Sequence, residues 1–168
     1  MLFFSTFDPE ETARRYVQKV QKMQPQGELE TGQPQASTSR SSITGFGCLK
    51  CWPESPDSAW HAKQHLKSEV DLVDESHFHL LILRCPACSQ AFLSVFMESI
   101  DWQGGDDPQF WSIVPITGVE LENLLKTPPT ERELTAFASG RRSLFRSAPK
   151  GDSRVSRWAS GIVLVPHD

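Results

Sequence analysis

The chain has no long hydrophobic run. Its longest apolar stretches, residues 80–83 and 91–97 (the second broken by Ser94), fall far short of the roughly 20 residues a membrane-spanning helix needs. The opening MLFFSTFDPEE lacks a basic leader and turns acidic at once, so it does not read as a secretory signal. A cytoplasmic, reducing location is the expectation, and there cysteines favour metal or redox chemistry over disulfides. Net positive charge is also lacking: 17 Lys and Arg against 21 Asp and Glu give a formal net charge of −4, which argues mildly against nonspecific binding to nucleic acid. Hydrophobic residues make up only 38% and prolines number 12, so part of the chain should contribute nothing to a core. With 168 residues, one domain with loose ends is the natural organisation.

Three segments follow. Residues 1–23 read as an N-terminal helical segment. Asp8 is a good N-cap, Pro9 fits the first helical position, and Ala13, Tyr16, Val17 and Val20 make an apolar stripe over 8–23. Residues 24–44, rich in Gln, Ser, Thr, Pro and Gly, read as a flexible linker. From Gly45 to 168 the composition becomes globular. The runs 78–84, 91–98 and 110–116 read as a three-stranded antiparallel meander, with Pro115 marking an edge or a strand end. Thr117 with Glu120 and Thr130 with Glu133 have the form of capping boxes, so two short helices should follow, the second reaching about Ala138. Residues 140–158 look irregular and basic, and 161–166 (GIVLVP) reads as a last strand.

Cysteine is present in two pairs of the form C-x2-C, Cys48 with Cys51 and Cys85 with Cys88, separated by 33 residues. Four thiolates are the usual tetrahedral set of a structural zinc site. Gly45 and Gly47 ease a tight turn before Cys48, and Pro86 shapes the second pair. A redox C-x-x-C would be one pair at a strand-to-helix turn. Here there are two pairs, and a strand pattern follows the second. The expectation is one structural Zn²⁺ per chain on Cys48, Cys51, Cys85 and Cys88.

Both knuckles, Gly47-Cys48-Leu49-Lys50-Cys51 and Arg84-Cys85-Pro86-Ala87-Cys88-Ser89, resemble those of the zinc-ribbon superfamily over about residues 45–98. The resemblance implies an α+β fold, a small antiparallel zinc-ribbon-like sheet with short flanking helices. The 33-residue gap exceeds the roughly 15–20 of the commonest spacing, so an insertion between the knuckles is implied.

The remaining polar residues offer competing functions. His61 and His65 share a helix face and His77 and His79 share a strand face, but no H-E-x-x-H pattern is present and four cysteines already complete one site. Glu98, Asp101, Asp106 and Asp107 lie around Trp102 and a Gly-Gly pair. They read as a partner-binding acidic loop, in which Asp101, Trp102, Asp106, Asp107 and Trp111 are the candidate contacts. Alternatives are a solvated turn and a metal-dependent enzyme built on loop 98–107. Residues 140–158 carry six bases against Asp152, whereas 92–134 carry eight acids and two bases. The basic segment is the candidate for nucleic-acid binding, against a solvated face that pairs with the acidic region. The leading reading is a non-catalytic zinc-binding protein that mediates protein–protein interaction.

Overall fold

The computed structural model describes residues 45–102, 104, 107–149 and 151–166, which apart from Gly45 fall in the unit Phe46–Asp168. The helix expected at 8–23 and the linker expected at 24–44 lie outside the described residues.

Six strands form one open antiparallel sheet in sequence order: β1 Lys67–Glu75, β2 Phe78–Arg84, β3 Ala91–Glu98, β4 Gln109–Ile116, β5 Arg142–Ala148 and β6 Val155–Ser160. A short helix, α1 (Pro56–Lys63), precedes β1, and α2 (Gly118–Lys126) and α3 (Glu131–Ala136) lie between β4 and β5. The chain is thus a small α+β unit. The expected meander is its centre, β2 to β4. β2 and β3 pair without interruption from Phe78↔Met97 to Arg84↔Ala91, because every residue of both runs has a cross-strand partner and seven of the eight β3 residues are apolar or small enough to bury.

Three expectations need correction. First, the sheet has six strands rather than three. β1 is an edge strand in which only Val70 and Leu72 are buried, while Lys67, Ser68, Asp71, Asp74 and Glu75 are exposed and two register shifts interrupt its pairing. Charge and bulges protect an edge from further pairing, and they also dilute the apolar alternation. Second, residues 140–158 are not irregular, since β5 and β6 occupy most of them. Their arginines lie along aromatic rings, Arg142 over Trp158 at 4.3 Å and Arg157 over Phe145 at 4.7 Å, so the stems pack although the sequence reads as basic. Third, residues 161–166 do not form a strand. Gly161 has φ +69° and turns the chain out of the sheet. The following N–H groups bond side chains instead of a strand edge: Val163 donates to Ser112 Oγ at 3.1 Å and Val165 to Met97 Sδ at 3.3 Å. Pro115 does mark a strand end: pairing of β4 with β5 stops at Ile113, although β4 itself is central.

The register assigns the core to two faces. One carries Leu81, Leu83, Phe92, Ile113, Leu144 and Trp158, and it packs with Cys51, Trp52, Ala59 and Trp60. α1 covers it at β5 and β6. The other carries Leu80, Ile82, Leu93, Val95, Met97 and Val114, all buried, and the 161–166 segment crosses it through the bonds to Ser112 and Met97. Both capping boxes form as expected, at Thr117 and Thr130, although α3 stops at Ala136. Among the described residues no helix is long and apolar enough to cross a membrane.

Arg141 ties these parts together. Its guanidinium makes two bonds to the Glu120 carboxylate, at 2.8 and 2.9 Å, donates to Pro115 O, and lies 4.4 Å from the Phe46 ring centroid. Burial pushes the Glu120 carboxyl pKa up, but Arg141 and the Thr117 N–H and hydroxyl outweigh it and hold the pKa below the usual range. A depressed carboxyl stabilises the fold above its unfolded pKa of about 4.3 and loses that contribution as pH falls through the folded value. Glu120→Gln should therefore cost about 2 kcal/mol at pH 7, the order of a hydrogen-bonded charged group. Urea unfolding at stepped pH checks this. The gap between variant and wild type should shrink below about pH 4; a constant gap would show that charge is not its origin.

Candidate metal centre

Each cysteine pair sits in a turn set by its own backbone. In the first, Cys51 N and Trp52 N both donate to Cys48 O, at 3.0 and 2.7 Å, and Cys48 N donates to Cys51 Sγ at 3.2 Å. The second lies between β2 and β3. Cys85 N donates to Gln90 O and Ser89 N to Cys85 O, both at 2.9 Å, with Ser89 at φ 60° closing the turn. The even β2–β3 register ends at Arg84↔Ala91, so the second pair is held at a rigid hairpin tip.

The first pair is brought to that tip by packing. Trp52, buried directly after Cys51, meets the Phe92 ring at 5.2 Å and the Trp158 ring at 5.0 Å. Trp158 Nε1 donates to Glu54 O, which fixes the chain on the far side of the knuckle. Gln90 joins the two turns. Its side-chain oxygen accepts from Gly47 N at 3.2 Å, and its amide donates to Ala91 O and Ile116 O at 2.8 Å each. Arg84 braces the second turn through Nε to Glu69 Oε1 and Nη1 to Ser89 O.

The result is a cluster of four sulfurs all within 4.8 Å of one another, with Cys48–Cys51 and Cys51–Cys88 each at 3.7 Å. All four are free thiols, and these separations are far beyond the roughly 2.05 Å of a disulfide. Cys51 and Cys85 are buried, Cys48 is half-buried and Cys88 is exposed. Burial pushes the Cys51 and Cys88 thiols up. Burial also acts on Cys48, but the Lys50 and Cys51 backbone N–H groups and the neighbouring thiols outweigh it and bring its pKa down to about 7. Sulfurs gathered this closely repel as thiolates unless a cation sits between them. The tetrad is therefore positioned to hold one metal ion, on the residues the spacing singled out.

The other candidates are not gathered into a site. His61 Nδ1 lies 2.7 Å from Asp57 O, His77 pairs with Glu98 and His79 with Asp74, both at 3.1 Å. Among the described residues the cysteine tetrad is the one group of ligand atoms close enough to share an ion. Glu98 also accepts from Gln109 Nε2, and Asp107 accepts from Asp101 N at 2.7 Å. Asp101 accepts from Gly104 N at 3.0 Å. Asp106 lies outside the described residues. Trp102 stands 84% exposed at this loop, whereas Trp111 lies in β4, against Phe96 and Trp60. Sequence reasoning missed Gln90 and Arg84. Their positions flanking the second pair were the available signal, but a pairing of Gln90 with Gly47, or of Arg84 with Glu69 15 residues away, has no local pattern.

Gly47 gives a test of the knuckle geometry. Its φ is +79°, and a Cβ there would meet Trp52 Cβ at 2.9 Å and Cys51 Sγ at 3.0 Å; Gly140 has φ +80° and open space. The left-handed backbone costs a non-glycine residue about 1–2 kcal/mol at either site. Gly47→Ala should lose more stability than Gly140→Ala in urea unfolding, and should release metal to a chelator sooner. Equal losses would mean that the first knuckle is not packed this closely.

Compared with protein-family models, curated proteins and solved structures, the chain matches none.

Proposed function

We propose that this chain is a cytoplasmic, non-catalytic zinc-binding protein that works by presenting a surface to another protein. The observation that carries the zinc assignment is the sulfur cluster. Four thiolates about 2.3 Å from a tetrahedral Zn²⁺ lie about 3.8 Å apart, and the Cys48–Cys51 and Cys51–Cys88 separations here are each 3.7 Å. Thiolate sulfur is soft, which favours zinc over magnesium or calcium. Four protein ligands complete the coordination and leave no position for substrate, so the ion's role is structural. Free thiols fit a reducing compartment.

Support for a protein partner comes from Trp102. A tryptophan 84% exposed, on a loop braced by the Asp101 and Asp107 bonds, is poor use of an indole unless something covers it. Asp106 and Asp107 add charge beside it. The nucleic-acid alternative draws less support. Arg141 is engaged by Glu120, and the chain as a whole is acidic.

Freshly reduced protein should contain about one zinc per chain by elemental analysis. Cys88→Ser should lose most of that zinc and lower the melting temperature while far-UV circular dichroism keeps its sheet signal, because the face carrying Leu80, Ile82 and Val95 does not involve the cysteines. Zinc-free wild-type protein with an unchanged melting temperature would sink the assignment. For the surface, Trp102→Ala should leave zinc content and stability within about 0.5 kcal/mol of wild type. It should also weaken capture of partner protein from the native cell at least tenfold. Capture that is unaffected by Trp102→Ala would remove the loop from the interface.

A further inference from the structure

A second surface lies on the knuckle face of the sheet. Residues opposite one another across β2 to β5 make a row: His79, Phe96, Trp111 and Arg146. Trp60 of α1 stands over this row, 5.1 Å from the Trp111 ring. Two cations gather on the Trp60 ring, Lys63 Nζ at 4.7 Å and Arg146 Cζ at 4.6 Å. Beside them opens a cavity of about 290 Å³, lined by Trp60, Leu66, Leu81 and Leu83 together with Lys63, Gln64 and Ser68.

These cations are not neutralised. Among the described residues neither Lys63, Arg146 nor Arg142 forms an ion pair with a carboxylate. Partial burial of Lys63 lowers its pKa by disfavouring the ammonium, a cost that a bound carboxylate would offset. A ring face attracts a cation but leaves its charge in place. In a chain of net charge −4, a cluster of unpaired cations beside an aliphatic hollow calls for an anionic complement.

We propose that this cleft binds an acidic–aliphatic peptide segment of a partner protein, its aliphatic side chain between Leu66, Leu81 and Leu83 and its carboxylates on Lys63 and Arg146. The inference rests on the protein-interaction reading and names the chemistry of the partner at this face. Three observations favour a peptide. Three leucines supply the apolar wall beside the Trp60 ring, which suits a leucine or valine side chain. The positive charge extends beyond the residues that line the cavity, to Arg146 and then to Arg142, four residues or about 13 Å further along β5. The rings are tilted, Trp60 to Trp111 by 58° and Phe96 to Trp111 by 48°, and Trp60 is already capped by its own cations, so they make no flat platform for successive bases.

The test uses the zinc-loaded full chain and a blocked hexapeptide alternating glutamate and leucine, followed by amide chemical shifts. The peptide should bind, shift Trp60, Lys63 and Leu81, and weaken as salt is raised. Lys63→Met combined with Arg146→Gln keeps much of each stem and should weaken binding at least tenfold at unchanged zinc content. Should that variant fold poorly, Ser68→Asp places a carboxylate at the rim from an exposed strand position and should weaken binding likewise. Equal binding of a lysine–leucine hexapeptide, tighter binding of oligothymidylate, or no shift with the glutamate–leucine peptide would each overturn the proposal. If the peptide fails while capture of a partner still depends on Trp102, this inference falls and the interaction reading stands; if both fail, the reading falls with it.

Discussion

Four sulfurs from turns 33 residues apart must meet within 4.8 Å, and much of the architecture follows from that requirement. One pair needs no help, because the β2–β3 hairpin holds its own tip. The other comes from an irregular segment and must be carried to the tip by packing. Trp52 supplies the apolar contact on Phe92, and Gln90 supplies the polar one on Gly47. The chain between the pairs then has to leave the site and return as β2. It does so through α1, laid across β5 and β6, and through β1, added outside β2. The long spacing between the knuckles is therefore an excursion with two structural tasks: covering one face and supplying one edge strand.

That excursion makes the two faces of the sheet unequal. The knuckle face buries Trp52, Leu83, Phe92 and Ile113 beside the thiols, so its packing depends on the tetrad. The opposite face is filled by Leu80, Ile82, Leu93, Val95 and Met97 and crossed by the terminal segment. Buried serines serve that crossing. Ser112 Oγ accepts from Val163 N, and Ser143 Oγ donates to Gly161 O, so two polar groups that would be costly inside a core are satisfied by a backbone with no strand partner. A sheet with cores on both sides can keep one when the other loosens, which a minimal two-hairpin metal domain cannot do.

What could be read from the sequence follows how local each signal is. The tetrad was legible because ligand type and C-x2-C spacing are set by metal geometry alone. β2, β3 and β4 were legible because their burial on both sides of the sheet leaves nearly continuous apolar runs. Both capping boxes are four-residue patterns and were legible for the same reason. β1 was hidden by the charges an edge strand needs, with Val70 and Leu72 too few to declare a period. β5 and β6 were hidden because Arg142, Arg146 and Arg157 pack through their stems on rings distant in sequence. Residues 161–166 looked like a strand because a segment crossing an apolar face needs the same valines and leucines. Only Gly161 at its start, turning the chain out of register, separates the two cases.

The cysteine tetrad and the Trp102 loop lie at opposite ends of the central strands. Arg84 and Ala91 mark the knuckle end, whereas Glu98 and Gln109 mark the end from which the Trp102 loop extends. Seven residues of β3 separate them, about 24 Å at strand rise. An ion at the knuckles therefore cannot touch anything bound at that loop. Its influence has to pass through packing, and there is a physical route: Trp52 on Trp158, Trp158 Nε1 on Glu54 O ahead of α1, Trp60 of α1 on Trp111, and Trp111 on Phe96. Each link is an aromatic contact or a hydrogen bond between segments that no local sequence signal would join. The cationic cleft lies midway along that route, on the residues that α1 contributes. Its shape depends on where α1 sits, and α1 begins five residues after Cys51. The cleft is thus more closely coupled to the thiol cluster than the Trp102 loop is, since the loop is fixed mainly by the unbroken β3–β4 register.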